Sequence, residues 1–81
     1  MNSKKWCLLK ASDGARGAAG KQKVYEVRIE DNVVVCEWGM AEKAQRQRSV
    51  NAFGSAQAAL RFAYDKVYAK VDKGYRVAYS V

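Results

Sequence analysis

The chain has 81 residues, 49% of them hydrophobic, 28% charged and 11% aromatic, which describes one compact domain burying about 60–65% of its unfolded surface. That leaves room for one sheet or bundle and a binding surface, not a deep cofactor cavity. Without histidine, imidazole acid/base chemistry and imidazole zinc sites are excluded, while a formal charge of +7 points to a polyanionic partner, nucleic acid ahead of an anionic membrane surface.

Taken in chain order, residues 1–11 contain the apolar run Trp6–Leu9 and predict an N-terminal strand. The run is too short for a signal peptide core, and no segment is long and apolar enough for a membrane span, so the expected location is cytoplasmic. Residues 12–21, rich in glycine and alanine, predict a flexible loop. From Gln22 the sequence alternates, Tyr25, Val27 and Ile29 against Glu26, Arg28 and Glu30. Asp31-Asn32 then offers turn chemistry before Val33–Trp38, so residues 22–38 read as an antiparallel hairpin.

After Gly39 and a polar connection, residues 46–53 predict a fourth strand with Arg46, Arg48, Val50 and Ala52 on one face, weak enough in apolar signal to be an edge. Ser55 suits a helix N-cap, residues 56–73 lack Gly and Pro, and Gly74 stands where a C′ glycine belongs. Steps of about 100° place Ala56, Ala59, Leu60, Ala63, Tyr64, Val67 and Val71 on one stripe, whose small residues let the helix approach a sheet closely. Residues 75–81 alternate again and predict a closing strand. The expected fold class is α+β, a small antiparallel sheet of four to five strands with one helix on one face.

Chemistry-bearing constellations are scarce. Cys7 and Cys36, 29 positions apart, fit neither a metal ribbon nor a disulfide scaffold and read as reduced, buried thiols. No metal site, no cofactor and no enzymatic activity are expected, because no nucleophile has a recognisable base. The charge is unevenly spread: residues 22–41 sum to −2, whereas the N-terminal segment, the strand after Trp38 and the helix carry the surplus. Lys43, Arg46 and Arg48 follow Trp38 and could gather around one indole to grip phosphates and stack on a sugar or base. The competing reading is a core tryptophan beside a solvated charged loop, since the strand phase groups Trp38 with Val34 and Cys36. Lys66, Lys70 and Lys73 form a second basic stripe, favoured near a helix C-terminus by the dipole yet mutually repulsive.

The succession Tyr25-Glu26-Val27, a valine-rich strand ending in Trp38-Gly39, then Phe53, a helix with Ala59 and Lys70, and finally Lys73-Gly74-Tyr75 resembles the WGR domain family over about residues 22–76. Such domains occur in DNA-dependent poly(ADP-ribose) polymerases, in bacterial proteins resembling the molybdate metabolism regulator, and as small bacterial proteins of little else. The resemblance implies a small antiparallel sheet with one helix, and contact between the motif tryptophan, nearby basic residues and the sugar-phosphate backbone near a DNA end. Trp38 and Gly39 match the motif, but its arginine is Met40, which has neither charge nor donor and forgoes a phosphate contact worth about 1–3 kcal/mol. Arg46 or Arg48 is the expected replacement.

The expected function is thus a non-enzymatic nucleic-acid-binding module, DNA ahead of RNA, using Trp38, Gly39, Lys43, Arg46, Arg48 and Lys70, with help from Lys4, Lys5 and Arg16. If DNA-binding, it would associate with the nucleoid. The alternative is a protein-interaction adaptor docking on an acidic or apolar surface through the basic face or a sheet edge, for which Met40 beside Trp38 offers an adaptable apolar contact.

Overall fold

A computed structural model describes residues 3–11, 22–40 and 45–81. Five strands and one helix follow in the order β1 (Ser3–Ala11), β2 (Gln22–Glu30), β3 (Val33–Met40), β4 (Gln47–Ala52), α1 (Ala56–Asp72) and β5 (Arg76–Ser80). They form one antiparallel sheet in spatial order β4-β3-β2-β1-β5, with α1 packed against β2, β3 and β5. The fold class is α+β, as the alternation and the single long helical segment imply. The expected loop at 12–21 lies outside the described residues.

Register explains which side chains reach the core. Tyr25, Val27 and Ile29 of β2 pair with Trp38, Cys36 and Val34 of β3 and with Leu8, Trp6 and Lys4 of β1, so all point to the helix side. There Trp6, Leu8, Tyr25, Val27, Ile29, Val34 and Cys36 close on Ala59, Ala63 and Val67. The alanines supply the close approach, and the sheet and flanking aromatics supply the bulk. Fully burying a Val or Leu side chain is worth about 1.5–3 kcal/mol, so Leu8, Val27 and Val34, all fully buried, anchor this layer.

The helical stripe is rotated slightly from its expected course. Ala56 and Val71 are exposed, Val71 by 43%, and the last core-facing position is taken by half-buried Lys70. At the N-terminus the Ser55 hydroxyl accepts the Ala58 N–H at 3.1 Å, a cap worth about 1 kcal/mol. At the other end Gly74 adopts φ +103°, its N–H donates to the Val71 carbonyl, and the Tyr75 N–H donates to the Lys70 carbonyl, both at 3.0 Å. That pair of bonds is a Schellman motif, and it folds the Tyr75 ring back onto the helix end.

Cys7 and Cys36 are buried free thiols, and adjacent register rows place them on opposite faces of the sheet. Among the described residues no helix is long and apolar enough to cross a membrane.

Candidate nucleic-acid interface

A β-strand sends successive side chains to opposite faces, and in this sheet that alternation sorts the cations into two environments. On the face away from α1, Glu26 of β2 and Glu37 of β3 stand directly opposite each other, a like-charge pair that would be destabilising alone. Three cations neutralise it. Lys5 Nζ lies 3.6 Å from Glu26 Oε1, an Arg46 Nη1–H donates to Glu26 Oε2 at 3.1 Å, and Arg48 Nε lies 3.7 Å from Glu37 Oε2. Arg28 pairs with Glu30 on the same face at 3.6 Å.

Gly39 belongs to this arrangement. A Cβ there would meet the Gln45 carbonyl oxygen at 3.4 Å and the Arg46 Cα and Cγ at 3.5 Å. The bare backbone at Gly39 thus lets the Arg46 stem lie flat across β3 on its way to Glu26. A methyl group fits there in ordinary contact.

The helix side carries a different chemistry at the end of the sheet near the α1 C-terminus. Trp38 and Tyr25, cross-strand partners, stack at 5.7 Å between ring centroids and 17° between planes, and Tyr75 meets Tyr25 edge-on at 6.2 Å. Lys70 Nζ sits 4.6 Å from the Tyr25 ring centre and 5.8 Å from that of Tyr75, while Lys10 Nζ approaches Tyr75 from elsewhere at 5.8 Å. Lys10 runs so close to Gly74 that a Cβ there would lie 3.3 Å from its Cε. In the next register row Met40, Lys23 and Lys10 stand side by side on three strands, with the Lys10 and Lys23 positions directly paired. Lys66, over the Phe62 ring at 5.2 Å, and Lys73 complete the group.

Electrostatics separates the two faces. No ion pair among the described residues involves Lys10, Lys23, Lys66, Lys70 or Lys73. Desolvation by burial, then repulsion from Lys73 and Lys66, lowers the Lys70 pKa below its ordinary 10.5, and Lys10 adds to the repulsion. Burial, followed by the neighbouring Cys36 thiol, raises the Tyr25 pKa, and burial raises that of Tyr75, so both phenols are neutral donors. Buried and half-buried aromatics here are ringed by crowded cations that no carboxylate of the described residues pairs with, which gives this end of the helix side a positive potential.

The expected grouping of Trp38 with Arg46 and Arg48 is therefore not the one present. Arg46 and Arg48 project from the opposite face and are held by Glu26 and Glu37, because they share the strand phase of Val50 and not that of Ser49. They do not replace the charge missing at Met40. Gly39 lies with them, and Lys43 and Arg16 are outside the described residues; of the expected cations that are described, Lys70 reaches Trp38's end of the helix side with Lys66 and Lys73 beside it, while Lys4 stands at the far end of that side, opposite Ile29. Lys10 and Lys23 carry no motif signal, and Tyr75 enters the sequence reading only through the family resemblance. The signal the two lysines do carry is one of phase, which they share with Leu8 and Tyr25, but the pairing register that aligns them is not legible from local periodicity.

Among the described residues no cluster of three or more histidine, cysteine or carboxylate groups could hold a metal. An open depression along the first turns of α1, lined by Phe53, Leu60, Phe62 and Tyr64, lies toward the other end of the helix from Lys70 and Lys73.

Comparison with curated proteins and with solved structures gave no match. The family model for the WGR domain, however, matches residues 6–80, spanning all five strands and the helix. The chain belongs to the WGR domain family, whose members are non-catalytic and generally serve as nucleic-acid-binding modules.

Proposed function

We propose that this chain binds the sugar-phosphate backbone of DNA with little sequence discrimination and catalyses no reaction. The observation that carries the reading is the convergence of Lys10, Lys23 and Lys70 on the Trp38–Tyr25–Tyr75 row, on a face where no carboxylate of the described residues pairs with them. Phosphates neutralise the lysines, and the open side of Trp38 stacks on a sugar or base, one of its faces being taken by Tyr25. Met40 costs less than its lost guanidinium suggests, since Lys23 and Lys10 stand in the same cross-strand row. Lysines are point charges without the bidentate fork of arginine, which suits backbone contact without base readout.

The test is a fluorescence titration of Trp38 with blunt and 5′-phosphorylated duplexes across a salt series. Three to five engaged phosphates predict quenching with a log–log salt slope of about −3 to −4. Absence of salt-sensitive binding at low ionic strength would sink the proposal. Binding of a protein partner that persists in high salt and buries Met40 with Trp38 would favour the adaptor reading, for which the half-burial of Met40 at the margin of the same face is the favourable observation.

A further inference from the structure

The two edges of the sheet are built differently. Along β5 the register with β1 shifts between Cys7 and Leu8: Tyr79 pairs with Cys7 and Val77 with Leu8, leaving Ala78 as an extra residue. Such a bulge twists an edge and discourages further pairing. β4 has no irregularity; its six residues pair with β3 in continuous register, and it contains no proline, lysine or bulge.

Hydrogen-bond direction shows what β4 leaves open. The Phe53 N–H donates to the Asn32 carbonyl, so by the antiparallel alternation Phe53, Asn51, Ser49 and Gln47 bond inward to β3. Arg48, Val50 and Ala52 therefore turn their N–H and C=O groups outward. On that strand the Val50 side chain is 56% exposed.

We infer that β4 pairs antiparallel with β4 of a second copy of this chain, about a two-fold axis through Val50. In this register Val50 faces Val50 of the partner subunit, Arg48 faces the partner's Ala52, and Ser49 faces the partner's Asn51 on the helix side. Apolar meets apolar, small polar meets small polar, and no like charges stand opposed. Moving the axis to Arg48 sets two arginines against each other, and moving it to Ala52 shortens the ladder. Despite the overall +7, the seam carries little free charge, because Glu37 already holds Arg48 at 3.7 Å. The result is a continuous ten-stranded sheet, and a two-fold axis normal to the sheet places both lysine faces on the same side. A seam of one strand pair is small, so the association is weak and concentration-dependent. It stands independently of nucleic-acid binding, and its test uses none.

Sedimentation equilibrium on the full chain in about 1 M salt, where the Debye length is ~3 Å and repulsion between the cationic chains is screened, reads it directly. The mass should rise from 9.0 kDa toward twice that value as the protein reaches millimolar concentration. Val50→Pro removes an N–H that β3 does not use, and should weaken association at least tenfold with an unchanged far-ultraviolet dichroism spectrum. Val50→Lys, which replaces the apolar contact on the axis by two flexible charged stems and needs no backbone change, should weaken it too, the more so when the salt is lowered and the repulsion is no longer screened, so a folding failure of the proline variant leaves the question decided. A chain that remains monomeric throughout, undiminished association in Val50→Lys, or loss of association on Val77→Lys at the other edge overturns the inference.

Discussion

The two faces of this sheet hold similar numbers of cations and put them to opposite uses. On the face away from the helix, Lys5, Arg28, Arg46 and Arg48 each lie within 3.7 Å of a carboxylate. On the helix side, Lys10, Lys23 and Lys70 lean on aromatic rings or on each other. The first set holds four strands in register; the second has no carboxylate partner among the described residues, and it is to this set that we assign the external anion. A cation's usefulness for binding is thus decided by its strand phase and by what stands across from it, and not by how near it lies to the motif tryptophan in sequence.

The largest expected effect tests this contrast directly. Replacing Lys10, Lys23 and Lys70 by Gln together should shallow the salt slope of duplex binding by about 3 and abolish measurable binding near physiological ionic strength. Arg46→Gln with Arg48→Gln should change affinity less than about threefold in the same titration, since both arginines enter binding already paired. If the arginine pair proves the more damaging, the assignment of the interface to the helix side is broken.

Next in size is Trp38→Ala. Losing a stacked base or sugar contact is worth about 1–3 kcal/mol, or roughly 5- to 150-fold in affinity. The same change strips one face of Tyr25, and an aromatic pair contributes about 0.5–1.5 kcal/mol to stability. Measuring binding and chemical denaturation on the same samples separates the two. Affinity should fall at temperatures where the variant is still fully folded.

Much of this arrangement is legible in the amino-acid sequence, and the reason lies in periodicity. The alternation of Tyr25, Val27 and Ile29, the Asp31-Asn32 turn, the Ser55 cap and Gly74 are local signals with local causes, and each has its counterpart in the structure. Asp31 indeed adopts φ +57° at the hairpin tip. The candidate site was harder to see because it depends on non-local facts. Whether Arg46 joins Trp38 or Glu26 depends on the phase of β4 relative to β3, and a weakly apolar edge strand does not advertise which face is inward. Lys70 was recognisable as part of a basic stripe, but its place in the core-facing row depends on a helix rotation that favours Ala59, Ala63 and Val67 and leaves Val71 outside.

The ion-paired face yields a smaller, structural prediction. Glu26 is half-buried and shared by Lys5 and Arg46, so Arg46→Gln should cost about 1 kcal/mol by denaturation, more than Arg48→Gln, whose exposed partnership falls in the range of 0–1 kcal/mol. Gly39→Ala should be nearly silent, because its Cβ would stand in ordinary contact with Arg46, whereas Gly39→Val should displace that side chain and reproduce the Arg46→Gln loss. Equal losses in Arg46→Gln and Arg48→Gln would remove the special position given to Glu26.

The smallest effect is a pH dependence, and its sign follows from the environment of Lys70. Burial and the surrounding lysines lower its pKa below 10.5, so it loses its proton at a lower pH than an ordinary lysine as the solution is made alkaline. A bound phosphate favours the charged form and draws the pKa back up, so binding takes up a proton. Duplex affinity must therefore decline as pH rises through the lowered pKa, by no more than about tenfold per pH unit for the one proton linked. Lys70→Arg keeps the charge at every accessible pH. Its affinity should stay level across the same window at constant ionic strength, and an equally steep decline in that variant would move the titrating group away from Lys70.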